Sequence, residues 1–477
     1  MKGSTLRPNV SRRRMLRLMA AACGLVGCGG EPPRAEPPAR PSLVVALPLI
    51  AAAPAQPGDP PTATSRAQPA APSASATRVP PTATAQPTDT ATPTASATIA
   101  PTSTPTSTAS PRSGPGGLRY PLVMAELEYG VAAHLFYIER RLPLQRAVAA
   151  GFGWIRQQIH WRDIEGPRGR YSFTELDGIV AAVQAAGLKL LLSVVRSPRF
   201  ATRNGNGGMP DDPALLAAFV AELTRHYRGR VHAIEIWNEQ NLAHENGGRV
   251  VLSDAGHYVE LLSAAYSSIK AVDPTVFVLA GAPSSTGITD ATLAIDDMAY
   301  YEAMYSYRQG MLRDCFDAQA VHPGSAANPP DTLWPVNPSQ AEGWTEHPTF
   351  YFRHVENVRA LMQRHGIGDH QIWITEFGWA TRNTTPGFEF GNQVSFEQQA
   401  AYLVGALRRT REQYPWVGAA FVWNLNFAML RARSGQPLHE QASYALLNAD
   451  GSPRPAYQAI GDLLNRRYAG AASGHAE

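Results

Sequence analysis

The chain has 477 residues and a formal net charge of +3 at pH 7. No Phe, Trp or Tyr occurs before Tyr120, so residues 1–119 lack the large side chains with which a domain builds a core. Six cations and no acid precede Cys28, so the rest of the chain is mildly acidic. This excludes the basic excess that is typical of nucleic-acid-binding proteins.

Residues 1–27 have the pattern of an export signal. A basic stretch at residues 11–17 precedes a short apolar run at residues 18–27, which is too short to span a bilayer. The paired arginines resemble a twin-arginine signal, which implies export in a folded state. Leu25-Val26-Gly27-Cys28 resembles a bacterial lipobox, which implies that Cys28 is lipidated and anchors the protein to the cell envelope. The alternative is a plain signal peptide that contains a cysteine.

Residues 28–117 are rich in Pro, Thr, Ser and Ala, with near-repeats such as Pro-Thr-Ala-Thr. This composition favours extended chain and cannot offset the conformational entropy that folding removes. The segment is therefore predicted to be a disordered tether. Residues 118–477 then form the folded domain.

From Tyr129 onward, short apolar runs alternate with amphipathic helical stretches. The candidate strands begin near Gly130, Trp154, Leu188, Ala233, Val276, Phe316, Ile372 and Ala419. The clearest helical stretches are 176–186, 213–227, 258–272 and 396–413, the last opened by a Ser395/Gln398 capping box. Eight strand–helix units of this length predict a (β/α)8 barrel. A doubly wound open sheet would need a Gly-rich phosphate loop after the first strand, and Gly130-Val131-Ala132-Ala133-His134 is not one.

Two of these strands end in a glutamate. The fourth strand leads to Glu239 and the seventh to Glu376. Because the carboxyl ends of barrel strands meet at one mouth, both side chains are expected to face the same pocket. Glycosidic cleavage requires such a pair, in which one acid protonates the leaving oxygen and one carboxylate acts at the anomeric carbon.

The residues around these glutamates resemble a known group of enzymes. Trp237-Asn238-Glu239 and Thr375-Glu376-Phe377-Gly378 are similar to the acid/base and nucleophile motifs of glycoside hydrolase clan A. Within the clan, residues 129–460 most resemble the family 39 and family 5 (cellulase-like) members. The resemblance implies a retaining hydrolase with Glu239 as acid/base and Glu376 as nucleophile, and we expect no cofactor.

The resemblance also implies roles for neighbouring residues. Asn238 would hold the sugar 2-hydroxyl, and Arg156 would keep Glu376 ionised. His322, after the sixth strand, would line the pocket, and Trp423, after the eighth, would form a stacking floor.

Other aromatic side chains follow strand ends and are expected at the mouth. His134 is a candidate for substrate contact, although a structural role is an equal alternative. Trp379 is a further substrate-binding candidate in a predicted aromatic mouth that includes Trp161, Trp237, Trp334, Trp344 and Trp423.

One departure from the clan concerns the sixth strand. Clan members often carry a Tyr two residues after the sixth-strand His, hydrogen-bonded to the nucleophile. This chain has His322-Pro323-Gly324. Either another side chain supplies that hydrogen bond or the strand register differs from the prediction.

Together these features predict an exported, monomeric glycosidase that cleaves a polysaccharide or glycoside at the cell surface. Two alternatives remain. One is a tethered glycan-binding barrel without turnover, motivated by Gly324. The other is a metal-dependent barrel hydrolase, which is disfavoured because no His-x-His pair opens the barrel and no metal site is expected.

Overall fold

The computed structural model describes residues 112–113, 118–336 and 347–473. The predicted export signal and the candidate lipidation site Cys28 lie outside the described residues. So does nearly all of the predicted tether at residues 28–117. The described part of the chain forms the domain predicted for residues 118–477.

Eight parallel strands form a closed barrel. They are β1 Glu128–Ala132, β2 Trp154–His160, β3 Lys189–Val195, β4 Ala233–Ile236, β5 Phe277–Ala280, β6 Ala318–Val321, β7 Gln371–Phe377 and β8 Val417–Val422. Each strand pairs with its sequence neighbours, and β8 pairs with β1 to close the barrel. The predicted (β/α)8 barrel is confirmed, and every predicted strand start lies within two residues of the observed one.

Helices surround the barrel, as the alternation of patterns predicted. They are α1 Arg141–Ala149, α2 Trp161–Ile164, α3 Thr174–Ala185, α4 Pro213–His226, α5 Asp254–Val272, α6 Asp297–Ser306, α7 His354–Arg364, α8 Phe396–Gln413, α9 Phe427–Arg433, α10 Glu440–Tyr444 and α11 Pro455–Ser473. The predicted capping box opens α8, because Ser395 and Gln398 each bond the other's backbone. Within the described ranges, no helix has both the length and the apolar character that a membrane span requires.

Large side chains fill part of the barrel interior. Trp154 and Trp373 meet edge to face with ring centroids 5.4 Å apart, and Phe421 packs against both. All three are buried in one cluster with alanines and leucines from the neighbouring strands. Such packing makes the barrel interior a core rather than a channel, so a pocket has to lie beyond the strand ends.

The chain before β1 is bonded to the starts of two strands. The amide of Leu122 donates to Asp317 Oδ1 at 3.0 Å, and the amide of Met124 donates to Gln371 Oε1 at 2.8 Å. Upstream, Arg112–Ser113 pairs in antiparallel fashion with Arg119–Tyr120. Regular backbone pairing therefore begins inside the segment 28–117 that was predicted to be a tether.

Candidate active site

One cavity brings together the residues that the sequence placed at the strand ends. Arg156 lies on β2, Glu239 follows β4, His322 follows β6, Glu376 lies near the end of β7, and Trp423 follows β8. All five line the same cavity. These elements are far apart along the chain, and only closure of the barrel makes them neighbours.

The two glutamates are close enough to act on one atom. Ligand atoms of Glu239, His322 and Glu376 all lie within 4.8 Å of one another. Retaining glycosidases hold their carboxyl groups about 5 Å apart, whereas inverting enzymes leave roughly 6.5–9.5 Å for a water molecule. The spacing therefore fits formation of a covalent bond between one glutamate and the anomeric carbon.

The same three side chains are a set that could ligate a metal ion. One imidazole and two carboxylates are a common donor set for divalent transition metals. However, Arg156 Nη1 lies 2.5 Å from Glu376 Oε1 and is buried beside it. A fixed cation in direct contact with one ligand opposes the binding of a second, divalent cation.

An unusual backbone presents Glu239 to the cavity. Trp237 and Glu239 both have positive φ, 68° and 48°. The amide of Glu239 donates to Ala282 O at 2.8 Å, which ties the end of β4 to the loop after β5. Gly281 allows this approach, because a Cβ there would lie 2.5 Å from Ile236 O. Such conformations persist only where the surroundings enforce them, and they cluster at functional sites.

Arg156 links three acceptors with its planar guanidinium. It donates to Glu235 Oε2 at 2.8 Å, to Glu376 Oε1 at 2.5 Å and to Asn238 Oδ1 at 2.8 Å. The arginine side chain is 1% exposed, so solvent screens these contacts little. Because Asn238 Oδ1 accepts from Arg156, the orientation of the Asn238 amide is fixed. Its NH2 group remains available to donate to a sugar hydroxyl.

The hydrogen bonds of His322 determine its tautomer. Thr375 donates its single hydroxyl proton to Glu235 Oε1 at 2.9 Å. Its oxygen therefore accepts from His322 Nε2 at 3.0 Å, which requires a proton on Nε2. The other ring nitrogen, Nδ1, lies 3.2 Å from Glu239 Oε1.

These contacts shift the pKa values of the two glutamates in opposite directions. Burial raises the pKa of Glu239, but the hydrogen bond and charge of His322 outweigh it, and the pKa lies below its ordinary value. Burial raises the pKa of Glu376 above its ordinary value despite opposing effects of His322 and Arg156. Burial lowers the pKa of His322, but Glu376 and Glu239 outweigh it and raise that pKa.

Burial has the largest effect on the pKa of Glu376 and raises it above the ordinary value, whereas Arg156 lowers it, which is the direction that the resemblance implied. The contact between His322 Nδ1 and Glu239 Oε1 is a route by which a proton on the ring could reach the carboxylate. Such a transfer would protonate Glu239 without a proton from solvent.

Gly324 occupies the position where a tyrosine was expected. A Cβ at this residue would lie 2.5 Å from Thr349 O and 3.3 Å from Phe350 Cα, so the position has no room for an aromatic side chain. The strand register is not at fault, because His322 directly follows β6. The side chain that hydrogen-bonds Glu376 is Arg156 instead.

The structure does not place His134 and Trp379 in the cavity. The His134 ring packs against Phe427 at 6.0 Å, and burial lowers its pKa to about 4, so the ring is neutral. Trp379 is fully buried and donates to Asn328 O at 2.8 Å. Both residues follow strand ends, but there the chain turns outward and packs these side chains against the surrounding elements.

The predicted aromatic mouth contains fewer tryptophans than expected. Trp423 lines the cavity, whereas Trp161 and Trp237 are fully buried and Trp334 is 42% exposed. Trp344 lies outside the described residues. The aromatic wall is built mostly from other rings, which the sequence did not single out: Phe350, Phe388, Phe390, Phe427 and Tyr444.

Several polar lining residues were also missed. They include Gln157, Gln158, Arg196, His244, Glu245, Ser284, Ser285, Glu440 and Gln441. Arg196 directly follows β3, so its position after a strand was a signal that could have identified it. Glu440 and Gln441 lie on α10, well after β8, where a single sequence carries no such signal.

Comparison with known proteins agrees with this architecture. No protein-family model matches the chain, and no curated protein matches it. Among solved structures, a family 39 glycoside hydrolase from Bacteroides cellulosilyticus WH2 superposes with a TM-score of 0.52 at 22% identity. That match covers 71% of this chain and 63% of the other, so the chain spans less than two thirds of that enzyme's length.

A second similar structure is GH5_18 from Streptomyces cattleya, solved in complex with GlcNAc. Its TM-score is 0.52 at 16% identity, over 72% of this chain and 80% of that one. The chain has the fold of these enzymes. The resemblance to clan A glycoside hydrolases that its motifs indicated is thus confirmed at the level of the barrel.

Proposed function

We propose that this protein is a retaining glycoside hydrolase. The observation that carries the proposal is the pair Glu239 and Glu376, which follow different strands and meet within 4.8 Å in one cavity. The fold shared with family 39 and family 5 hydrolases supports it. The aromatic face of Trp423 in the same cavity suits the apolar C–H surface of a sugar ring.

In the proposed reaction each of these residues has a defined role. Glu376 attacks the anomeric carbon while Glu239 protonates the glycosidic oxygen, so the C–O bond breaks and a glycosyl ester forms on Glu376. Glu239, now ionised, takes a proton from water, and the resulting hydroxide equivalent attacks the anomeric carbon and releases Glu376. Arg156 stabilises the carboxylate of Glu376 before it attacks and after it is released, and the amide NH2 of Asn238 donates a hydrogen bond to the sugar.

The natural substrate is proposed to be a saccharide at the cell surface. GH5_18 from Streptomyces cattleya was solved with GlcNAc, and its fold is shared by this chain. The export pattern at residues 1–27 and the lipobox-like Cys28 support attachment to a bacterial envelope, with residues 28–117 as a tether. We further propose that the protein acts as a monomer.

Hydrolysis by the purified full chain tests the proposal. We expect release of reducing sugar from at least one member of a glycan panel, and loss of release in Glu376→Ala. The matched control is Glu412→Ala, an exposed glutamate at the end of α8. An activated 2-fluoro sugar should add its glycosyl mass to a peptide that contains Glu376. The proposal would be wrong if wild type and Glu376→Ala released equal amounts of reducing sugar from every active substrate.

Measurements on the same purified protein distinguish two other functions from the proposed one. A glycan-binding barrel would bind saccharides in calorimetry without turnover, and would form no adduct on Glu376. A metal-dependent hydrolase, for which Glu239, His322 and Glu376 are the candidate ligands, would lose activity with a chelator.

A further inference from the structure

The hydroxyl of Tyr258 interrupts the backbone pairing of β4 with β5 just before the candidate acid. The two strands pair in register as far as Ile236. At their start, Phe277 N donates to His232 O at 3.0 Å, and the alternation of such bonds along a parallel pair would have Gly281 N donate to Ile236 O. Instead, Gly281 N donates to Tyr258 Oη at 2.6 Å, and that hydroxyl donates to Ile236 O at 2.8 Å. A side chain from α5 therefore bridges the ends of the two strands.

Two further hydrogen bonds attach the chain after β4 to the same loop. The amide of Glu239 donates to Ala282 O at 2.8 Å, and Gln240 Nε2 donates to Gly281 O at 2.7 Å. The backbone from the end of β4 to Gln240 is therefore held from both sides, by Tyr258 at its start and by the Gln240 side chain at its end. This backbone includes the two positive φ angles, which persist only where the surroundings enforce them.

Tyr258 does not take part in the chemistry directly. Its side chain is fully buried, and it is not one of the described residues that line the cavity. Burial raises the pKa of Tyr258, so the hydroxyl keeps its proton and can donate to Ile236 O. Without the hydroxyl, a buried amide and a buried carbonyl would lose their partners, and they could bond each other only if the strand ends moved. Any such movement is passed to Glu239, which follows Ile236 by three residues.

We propose that Tyr258 is a positioning residue for the acid/base glutamate, because its hydroxyl sets the separation of the ends of β4 and β5 and thereby the place of Glu239. The inference rests on the proposed hydrolase function and adds a residue outside the cavity to its machinery. General acid catalysis requires the acid to lie within hydrogen-bond reach of the leaving oxygen. A displaced Glu239 should therefore slow those substrates whose leaving group needs protonation and spare those whose leaving group does not.

Two leaving groups on one saccharide test this assignment in the full chain. The saccharide is the one that wild type releases from the glycan panel. Its phenyl glycoside needs the acid for departure, whereas its 2,4-dinitrophenyl glycoside does not. We expect Tyr258→Phe to lower kcat/KM about tenfold or more for the phenyl glycoside, and less than about threefold for the dinitrophenyl glycoside.

Tyr457→Phe is the matched control. The hydroxyl of Tyr457 also donates to a backbone carbonyl, Arg146 O at 2.9 Å, but it joins α11 to α1 on the outside of the barrel. This variant loses the same kind of hydrogen bond and should leave the ratio of the two kcat/KM values unchanged. The ratio is insensitive to the folded fraction, because both glycosides are measured in one preparation.

The inference is wrong if Tyr258→Phe lowers kcat/KM equally for both glycosides or for neither, and in that case the hydrolase function still stands. An equal change of the ratio in Tyr457→Phe would also overturn it. If Tyr258→Phe yields no folded protein, Gln240→Leu decides, because it removes the hydrogen bond at the other end of the same backbone. That variant should change the ratio in the same direction, and an unchanged ratio would overturn the inference. If wild type releases no saccharide from any glycan, the proposed function fails and the inference falls with it.

Discussion

The Nδ1 atom of His322 lies 3.2 Å from Oε1 of Glu239, so a proton on Nδ1 would be hydrogen-bonded to the candidate acid. The other ring nitrogen, Nε2, is hydrogen-bonded to the hydroxyl oxygen of Thr375. That hydroxyl donates its proton to the buried carboxylate of Glu235. Protonation of Nε2 is thereby fixed, and a second proton has only the space between Nδ1 and Glu239. Against the effect of burial, Glu239 and Glu376 raise the pKa of His322 and His322 lowers the pKa of Glu239, so the titrations of the histidine and the glutamate are linked.

The pH dependence of kcat/KM follows from these shifts. Activity requires an ionised Glu376, whose pKa is raised by burial, so the acidic limb should lie above the ordinary glutamate value of about 4.3. Activity also requires the proton shared by Glu239 and His322. The pKa of His322 is raised, so this proton should be lost only above the ordinary histidine value of about 6.5. Measurement from pH 3 to 9 should give a bell whose acidic limb lies above about pH 4.3 and whose basic limb lies above about pH 6.5, and an acidic limb below about pH 4 would contradict the burial argument.

Replacement of Thr375 should alter proton delivery rather than the fold. Thr375→Val preserves shape but removes the hydroxyl that orients His322, so kcat/KM on an unactivated glycoside should fall about tenfold. The basic limb should shift, and a dinitrophenyl glycoside should be affected much less, because its leaving group needs no acid. Thr375→Ser should restore both properties. If the valine variant keeps the wild-type pH profile, Thr375 does not position His322.

The two glutamates should respond differently to azide. Glu239→Ala should lose roughly 10²–10⁴-fold on unactivated substrates but retain turnover of dinitrophenyl glycosides, and azide should yield a glycosyl azide of retained configuration. Glu376→Ala with azide should yield the inverted product, because azide then attacks from the face left open by the nucleophile. Proton NMR of the products distinguishes the two anomers. Exchange of these stereochemical outcomes would reverse the assigned roles.

The space around Gly324 can be tested through stability. A Cβ there would lie 2.5 Å from a backbone oxygen, so Gly324→Ala should lower the free energy of unfolding by about 1–3 kcal/mol. Gly166→Ala is the control, because a Cβ at Gly166 would have no atom within 4 Å. Chemical denaturation of both variants provides the measurement. Equal stabilities would mean that the site can accommodate the larger side chain after all.

Much of the fold could be predicted because a parallel barrel strand is buried on both faces. Such a strand appears in the sequence as a short apolar run between helical patterns, as β3 and β8 do, although β2 also contains Arg156 and two glutamines. Side chains directly after these runs, such as Glu239 and His322, could be placed by counting. Residues in long loops could not, because their positions depend on packing against elements distant along the chain.

Trp379 and Trp423 illustrate the difference. Each follows a strand end, and each was expected at the mouth. Trp423 lines the cavity, but Trp379 turns away and is fully buried with its indole nitrogen bonded to Asn328 O. Position after a strand predicts nearness to the mouth, whereas the direction of a side chain there depends on the local backbone.

From its sequence alone, this protein was predicted to be an eight-stranded barrel with a glutamate at the end of the fourth strand and another at the end of the seventh. These properties depend on local patterns and on order along the chain, which one sequence records. The tertiary structure decided how far apart Glu239 and Glu376 lie, which nitrogen of His322 is protonated, and that Gly324 has no room for a tyrosine. These depend on distances of a few ångströms between segments that are far apart in the chain, and such distances arise only when the barrel closes.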